Sequence, residues 1–176
     1  FIYKIIAPHN YENFDLFLST GPLMNEHFTK MFNLANGVLF DGSYPRCNFL
    51  QQPVSQLKKH VEAYENTEMQ QLINKLKTYD KVYLYMPTWR SNLKDSFLEE
   101  ADFNFDQLNS VMKEKKSLFL LKLHPAVRHH KDYADLESII FLDSSMDVYS
   151  ILPFTTTLIT DYSSIYYDYL LMKDKE

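Results

Sequence analysis

The sequence has little of what marks several classes of protein. Its 176 residues contain one cysteine, Cys47, so no internal disulfide can form, as is typical of a reducing compartment. No apolar run approaches the roughly 18 residues that a membrane-spanning helix requires, and residues 1–20 lack a signal-peptide pattern. With three glycines the chain is not collagen-like and has no glycine-rich phosphate loop. We expect a folded, cytosolic protein.

Basic residues are also in short supply. The 18 lysines and arginines are outnumbered by 23 acidic residues, which gives a formal net charge of −5, and the lysines are scattered along the chain. Nucleic-acid backbones require a basic surface, so we expect no nucleic-acid partner, and a phosphate ligand would need a local positive site. No set of histidine, cysteine and carboxylate residues has the spacing of metal ligands, so no metal site is predicted.

The sequence does contain 45% hydrophobic and 15% aromatic residues. Its length fits one domain, or one domain with a piece of another. Short β-rich runs alternate with helical periods, which predicts an α/β fold with a parallel sheet and right-handed crossovers. The predicted strands are residues 14–19, 37–40, 81–86, 117–123, 138–142 and 156–160.

Helical periods lie between these strands. Asn104 followed by Gln107 resembles a capping box, and a long charged helix is predicted over residues 55–79. The segment LQQPVS at residues 50–55 predicts a break, so that residues 1–50 and 55–176 belong to different lobes. The apolar stripes that predict helices are Met24, Phe28 and Met31; Met69, Leu72, Ile73 and Leu76; Phe105, Leu108, Val111 and Met112; and Ile165, Tyr169 and Met172.

Polar side chains follow four of the predicted strands, at the edge where open parallel sheets bind ligands. We therefore predict that these side chains converge on one rim, although each singly has an ordinary explanation as a surface, turn or core residue. They are Thr88, Trp89 and Arg90 after residue 86, His124 after residue 123, Asp143, Ser144 and Ser145 after residue 142, and Asp161, Ser163 and Ser164 after residue 160.

Lys122 and His124 lie two residues apart and therefore share one face of a strand. An ammonium on a buried strand is costly unless it has a partner or lies at the open edge, so the pair predicts a partly buried anion. The alternative is a lysine that extends to solvent beside a hydrogen-bonded histidine. The sequence leaves both open.

The stretch from Thr160 to Ser164 ends a strand and begins a helix near Ser163. Free backbone N–H groups and two hydroxyls at such a helix end favour an anion, whereas ordinary capping needs one polar residue. Asp168 lies on nearly the same helix face as Asp161, among tyrosines. It is either part of the site or a buried acid satisfied by a tyrosine hydroxyl.

Four motifs, in this order and spacing, resemble the CDP-glycerol glycerophosphotransferase family, the teichoic-acid primases and polymerases of Gram-positive bacteria and related capsule enzymes. The resemblance covers roughly residues 12–172. The motifs are Tyr44-Pro45-Arg46 with Asn48; residues 85–90, YMPTWR; residues 122–125, KLHP; and residues 159–165, ITDYSSI, with Asp168 and Tyr169.

The resemblance implies a GT-B architecture of two Rossmann-like lobes, with residues 1–50 ending the first lobe and 55–176 forming most of the nucleotide-binding lobe. It implies transfer of glycerol phosphate, or a related polyol phosphate, from a CDP-activated donor to a hydroxyl of a membrane-linked polymer, with release of CMP. The implied donor is a substrate, so no cofactor is expected. The implied location is the inner face of the cell membrane, to which the enzyme is peripheral.

Site roles follow from the resemblance together with the predicted rim. His124 is the catalytic candidate, as a contact of the transferring phosphate or a proton donor to the leaving group. Ser163 and Ser164 are expected to hold the pyrophosphate. The further expected substrate contacts are Arg90 and Lys122 as charge partners, Thr88, Trp89 and Asp161 as pocket residues, and Asp168 and Arg46.

Departures from the family pattern leave other functions open. Pro8-His9-Asn10 does not match the His-Gly motif of the family's first lobe, Ser43 stands where glycine is common, and the sequence stops short of the usual continuation. We expect a fragment that is inactive alone. The alternatives are a sugar-nucleotide-dependent glycosyltransferase or epimerase of the same fold, and a non-catalytic domain whose rim groups pair with one another.

Overall fold

The structure is a computed structural model that describes residues 14–88, 103–124, 135–173 and 175. The chain forms two compact units, Phe1–Phe49 and Leu50–Glu176. The division falls at the beginning of the segment where the sequence predicts a break. Each unit has its own parallel sheet, and the two are described separately below.

The described residues of the first unit contain a two-stranded parallel sheet and a long helix. Strand β1 (Phe17–Ser19) pairs with β2 (Leu39–Asp41), and helix α1 (Pro22–Phe32) connects them. The rings of Phe28 and Phe32 lie 5.1 and 5.3 Å from that of Phe17. The predicted stripe through Met31 is therefore wrong at its last position, because Met31 is 58% exposed and Phe32, one turn after Phe28, packs instead.

The second unit alternates strands and helices. Its elements come after helix α2 (Pro45–Leu50) in the chain. They are α3 (Val54–Tyr64), α4 (Thr67–Leu76), β3 (Lys81–Met86), α5 (Phe105–Glu114), β4 (Ser117–Leu121), β5 (Ile139–Phe141), α6 (Val148–Ile151), a 3-10 turn (Leu152–Phe154), β6 (Thr157–Thr160) and α7 (Ile165–Tyr169).

The four strands of this unit form one parallel sheet in the order β5-β4-β3-β6. All five residues of β4 are buried, as expected for a strand covered on both faces. The predicted α/β fold with a parallel sheet and flanking helices is thereby confirmed. From β3 the chain adds β4 and β5 on one side and then returns to place β6 on the other side of β3. The topological switch point therefore lies between β3 and β6.

The predicted helix over residues 55–79 is wrong in its continuity. Two helices, α3 and α4, occupy this stretch and are separated at Glu65 and Asn66. The side chain of Asn66 accepts a hydrogen bond from the backbone N–H of Met69 at 2.8 Å, so it caps a new helix. The predicted apolar stripe of α4 is confirmed, since its members Met69, Leu72, Ile73 and Leu76 are all buried.

Two other helix predictions have different outcomes. Asn104 caps α5 by accepting from the backbone N–H of Gln107 at 2.9 Å, as the sequence predicts. The last helix, α7, ends at Tyr169, so Met172 of the predicted stripe lies in the following turn, although it is buried.

Candidate functional site at the carboxyl edge of the sheet

The four parallel strands of the second unit end at one edge, and the predicted polar residues follow them there. Neighbouring strands lie about 4.8 Å apart, so the ends of β4 and β6, with β3 between them, are roughly 10 Å apart. His124 and Ser163 therefore lie at the same edge of the same sheet. Trp89, Arg90 and the Pro8-His9-Asn10 segment lie outside the described residues.

The ends of β3 and β6 are tied together at the switch point. Asp161 Oδ1 accepts hydrogen bonds from the backbone N–H and the hydroxyl of Thr88, at 2.8 and 2.7 Å. One residue earlier, the Thr160 hydroxyl donates to the carbonyl oxygen of Met86 at 2.6 Å. These bonds join the two strand ends, and the expected role of Thr88 and Asp161 as pocket residues stays a prediction.

Ser163 and Ser164 precede a helix that is shorter than predicted. Helix α7 has five residues, and Ser164 makes no side-chain capping bond, while Ser163 Oγ lies 3.4 Å from the N–H of Ile165. The macrodipole of so short a helix is small, because few peptide dipoles add together. An anion here would depend on the hydroxyls and local N–H groups. The predicted anion site at this helix end stays a prediction.

Asp168 lies inside the fold. The residue is 6% exposed, and its carboxylate accepts a hydrogen bond from the Tyr149 hydroxyl at 2.6 Å. This contact matches the alternative that the sequence left open, a buried acid satisfied by a tyrosine hydroxyl. A substrate contact of Asp168 stays a prediction.

Lys122 continues the hydrogen bonding between β4 and β3 by one residue beyond the end of β4. Its backbone N–H donates to the Tyr85 carbonyl at 3.0 Å, and its ammonium donates to the carbonyl oxygens of Asp143 and Ser144, each at 2.7 Å. Burial lowers the pKa of the Lys122 ammonium, against the opposing effect of the Asp143 and Asp147 carboxylates. The ammonium thus has partners inside the protein, and contact with a ligand anion stays a prediction.

A cleft of about 540 Å³ opens beside His124. Its volume lies within the usual range for small-molecule sites, and it combines an apolar lining with polar side chains. His124 is exposed and forms part of the wall. The lining residues are Glu68, Gln71, Leu72 and Lys75 of α4, Leu123 and His124 after β4, and Ile140, Phe141, Leu142, Asp143, Ser144 and Met146 in and after β5.

The α4 side of this cleft was missed in the sequence. Glu68, Gln71 and Lys75 lie on the polar face of an amphipathic helix, where residues are ordinarily solvated. No local signal separates them from other exposed side chains, because only the packing of α4 beside the strand ends gives them a cleft to line.

Arg46 belongs to the first unit. Its guanidinium lies 4.4 Å from the centre of the Tyr44 ring, in a cation–π contact. Its contact with substrate stays a prediction.

In residues 14–88, 103–124 and 135–173, no cluster of three potential metal ligands is present. No helix in the described part of the chain is long and apolar enough to span a bilayer.

A comparison with protein-family models tests whether the chain belongs to the family that it resembles. Residues 6–174 match the model of the CDP-glycerol:poly(glycerophosphate) glycerophosphotransferase family. The chain belongs to this family. Of the four motifs that carry the resemblance, three have their described residues at the ends of β3, β4 and β6, and the fourth, at residues 44–48, lies in the first unit.

Two relatives of this glycerophosphotransferase-family chain are bacterial teichoic acid enzymes. The teichoic acid ribitol-phosphate primase of Bacillus spizizenii is 27% identical over 170 residues, which are 97% of this chain and 41% of the primase. The teichoic acid poly(glycerol phosphate) polymerase of Bacillus subtilis is 28% identical over 172 residues, which are 92% of this chain and 21% of the polymerase. The chain thus spans less than half of either relative.

A solved structure is also similar. It is the wall teichoic acid polymerase TagF in a histidine-to-asparagine variant soaked with CDPG, which is 26% identical with a TM-score of 0.63. The match covers 88% of this chain and 35% of TagF. This similarity confirms the predicted GT-B-like fold class.

Proposed function

We propose that the protein transfers glycerol phosphate, or a related polyol phosphate, from a CDP-activated donor to a hydroxyl of a teichoic-acid-like or capsular polymer. The observation that carries the proposal is the position of His124, which lines a ligand-sized cleft at the carboxyl edge of the sheet in a chain of this family. Relatives named for ribitol phosphate and for glycerol phosphate support both polyols as candidates.

The proposed reaction is a substitution at phosphorus. The acceptor hydroxyl oxygen forms a bond to the phosphorus that bears the polyol, and the bond from that phosphorus to the bridging oxygen breaks. CMP leaves with the electron pair, and the hydroxyl proton passes to a base. Negative charge grows on the phosphoryl and leaving oxygens, so hydrogen-bond donors placed at the rim stabilise the transition state.

Each part of the rim has a proposed task. The cleft beside His124 takes the nucleoside end of the donor, because it combines apolar walls with polar side chains. His124 contacts the transferring phosphate or protonates the leaving oxygen. Ser163 and Ser164 hold the pyrophosphate, and the Thr88–Asp161 contact keeps the intervening strand ends in place. Arg90 is the proposed charge partner of the phosphates.

We also infer the acceptor and the cellular location of the enzyme. The acceptor is a lipid-linked polymer, so the enzyme would work as a peripheral protein at the inner face of the membrane. The donor brings the reactive phosphoanhydride itself, and the proposed mechanism uses no resident cofactor. These points rest on the family's chemistry, because the chain covers only part of each relative.

Calorimetric titration of the full-length protein tests the proposal. We expect CDP-glycerol or CDP-ribitol and the product CMP to bind, and a matched UDP-sugar to bind much more weakly. Release of CMP should then depend on added polymer acceptor. If neither CDP-polyol nor CMP binds at millimolar concentration, the site is non-catalytic. Preferential binding of the UDP-sugar would instead favour a sugar-nucleotide enzyme.

A further inference from the structure

The segment after β5 forms one wall of the cleft beside His124. We call residues 142–147 the cleft loop, four of which line the cleft. Its first residue is held by the sheet, since the N–H of Leu142 donates to the carbonyl of Leu121 at 2.8 Å. The turn that follows is closed by the N–H of Met146, which donates to the Asp143 carbonyl at 3.2 Å.

Side-chain bonds within the cleft loop define the turn further. Asp143 Oδ1 accepts from the backbone N–H of Ser145 at 2.8 Å and from its hydroxyl at 2.6 Å. At the end of the loop, Asp147 accepts from the N–H of Tyr149 and caps α6. These contacts shape the turn but act within the loop or towards α6. They do not join its tip to β4.

The Lys122 ammonium supplies that connection. It extends from the end of β4 to the carbonyl oxygens of Asp143 and Ser144, 2.7 Å from each. Charge-assisted hydrogen bonds of this length are stronger than neutral ones. Lys122 lies two residues before His124, so the same short segment carries the proposed catalytic group and the group that holds the opposite wall.

We propose that Lys122 is a positioning residue, whose ammonium holds the cleft loop against the end of β4 and so keeps the cleft beside His124 open for the donor. That the cleft binds the donor rests on the proposed function. The hold on the loop depends on geometry alone. The two carbonyls use two of the three N–H donors of this ammonium, so the contacts in the structure are those of a support for the wall.

Amide hydrogen exchange on the ligand-free protein tests the hold on the loop. In Lys122→Met the side chain keeps its length but loses the ammonium, and we expect the amides of residues 142–147 to exchange about tenfold or more faster. Lys122→Arg, which can donate to both carbonyls, should restore most of the protection. Lys59→Met, at an exposed lysine outside the cleft, is the matched control and should leave the loop unchanged.

The kinetic test uses CMP release by the same variants. For Lys122→Met we expect the KM for the CDP-polyol to rise about tenfold to a hundredfold, because the wall is no longer preformed, with kcat changed by less than about threefold. Lys122→Arg should recover most of the affinity. An unchanged KM with a large fall in kcat would overturn the proposal and make Lys122 a contact of the reacting phosphate.

The exchange experiment keeps the two proposals separable. If the parent protein neither binds nor turns over a CDP-polyol, the proposed function fails, while faster exchange in the loop of Lys122→Met still supports the hold by Lys122. Parent-like exchange in that variant overturns the hold, whatever the activity. Lost protection throughout β3, β4 and β6 also overturns it, because Lys122 would then stabilise the whole sheet. If Lys122→Met does not fold, Lys122→Gln takes its place, with the same outcomes.

Discussion

The two halves of the carboxyl edge differ in what they offer a ligand. On the β4–β5 side, a fully buried strand ends at a cleft of about 540 Å³, and the Lys122 ammonium ties the opposite wall to it. On the β3–β6 side, the described residues after the strands carry hydroxyls and a carboxylate, and Tyr162 is 94% exposed. The cleft therefore lies on one side, and the hydroxyls proposed to hold the phosphates lie on the other.

The strand order relates the two halves of the edge to the proposed donor. A donor that occupies both halves must pass the ends of β4 and β3, which lie between the outer strands. His124 and Thr88 follow these two strands. In the proposed function the nucleoside lies in the cleft, the pyrophosphate lies near Ser163 and Ser164, and His124 is expected beside the transferring phosphate.

The largest expected effect is at the boundary between the halves. His124→Ala should lower kcat by about 100- to 10,000-fold, as for the loss of a general acid or a phosphate contact, with a much smaller change in donor affinity. Steady-state CMP release and donor titration of the full-length protein give the two values. His60→Ala, at a histidine of α3 outside the cleft, is the control. Parent-like kcat in His124→Ala would reject its catalytic role.

The next prediction compares how much side chains of β4 and β6 contribute to the free energy of unfolding. Leu120 of β4 is 0% exposed, so Leu120→Ala should lower the free energy of unfolding by about 2–5 kcal/mol through lost burial and a cavity. Ile159 of β6 is 40% exposed, so the cost of Ile159→Ala should be about 1 kcal/mol or less. Urea unfolding measures both. Equal costs would show that the β6 side is packed as tightly as the β4 side.

Tyr149→Phe tests whether Asp168 supports the β6 side or binds substrate. Removal of the hydroxyl takes a donor from a buried carboxylate, which should lower the free energy of unfolding by about 1–3 kcal/mol. Donor affinity should stay near that of the parent. The control is Tyr167→Phe, at an exposed tyrosine of α7. A large loss of affinity without loss of stability would instead place Asp168 in the binding site.

A smaller loss of unfolding free energy is expected from a substitution at the switch point between β3 and β6. Asp161→Asn keeps the shape of the side chain but removes the charge that strengthens its bonds from Thr88, so we expect a loss of about 0.5–1.5 kcal/mol in unfolding free energy. Thr88→Val completes a double-mutant cycle. Additive losses would mean that the two strand ends are not coupled through this contact.

The smallest effect is a pH dependence in the cleft loop. Hydrogen bonds from the hydroxyl and then the N–H of Ser145 hold the pKa of the Asp143 carboxyl below its usual 3.8. The resulting stability is present above the usual pKa and is lost as the pH falls through the lowered one. Ser145→Ala should make this acid loss smaller. Unfolding followed between about pH 2 and pH 5 tests it, and an unchanged acid profile would contradict the assigned cause.

Local sequence was a good guide where local physics dominates. The run KVYLYM predicts β3 over residues 81–86 because it is rich in the apolar and aromatic residues that favour strands, and the structure has these bounds. Asn104 caps a helix as predicted. The break at Asn66 had the same kind of signal, a good N-cap residue, but the continuous charged pattern of residues 55–79 obscured it.

Contacts between distant residues could not be predicted in this way. Lys122 finds its partners 21 and 22 residues later, and they are backbone carbonyls, which every residue carries. Asp161 and Thr88 are 73 residues apart and meet because β3 and β6 are neighbours in the sheet. The sequence pointed to Lys122 and Asp161 as unusual, but it could not say what they bind.

The sequence by itself determined the alternation of strands and helices, the net negative charge, and the motifs that resemble the family, because these depend on residue types and short spacings. Tertiary structure alone decided the strand order, the cleft between α4 and the strand ends, and the partners of Lys122. The physical reason is that a parallel sheet brings the ends of separate strands to one edge, and only their order in space decides which polar groups meet.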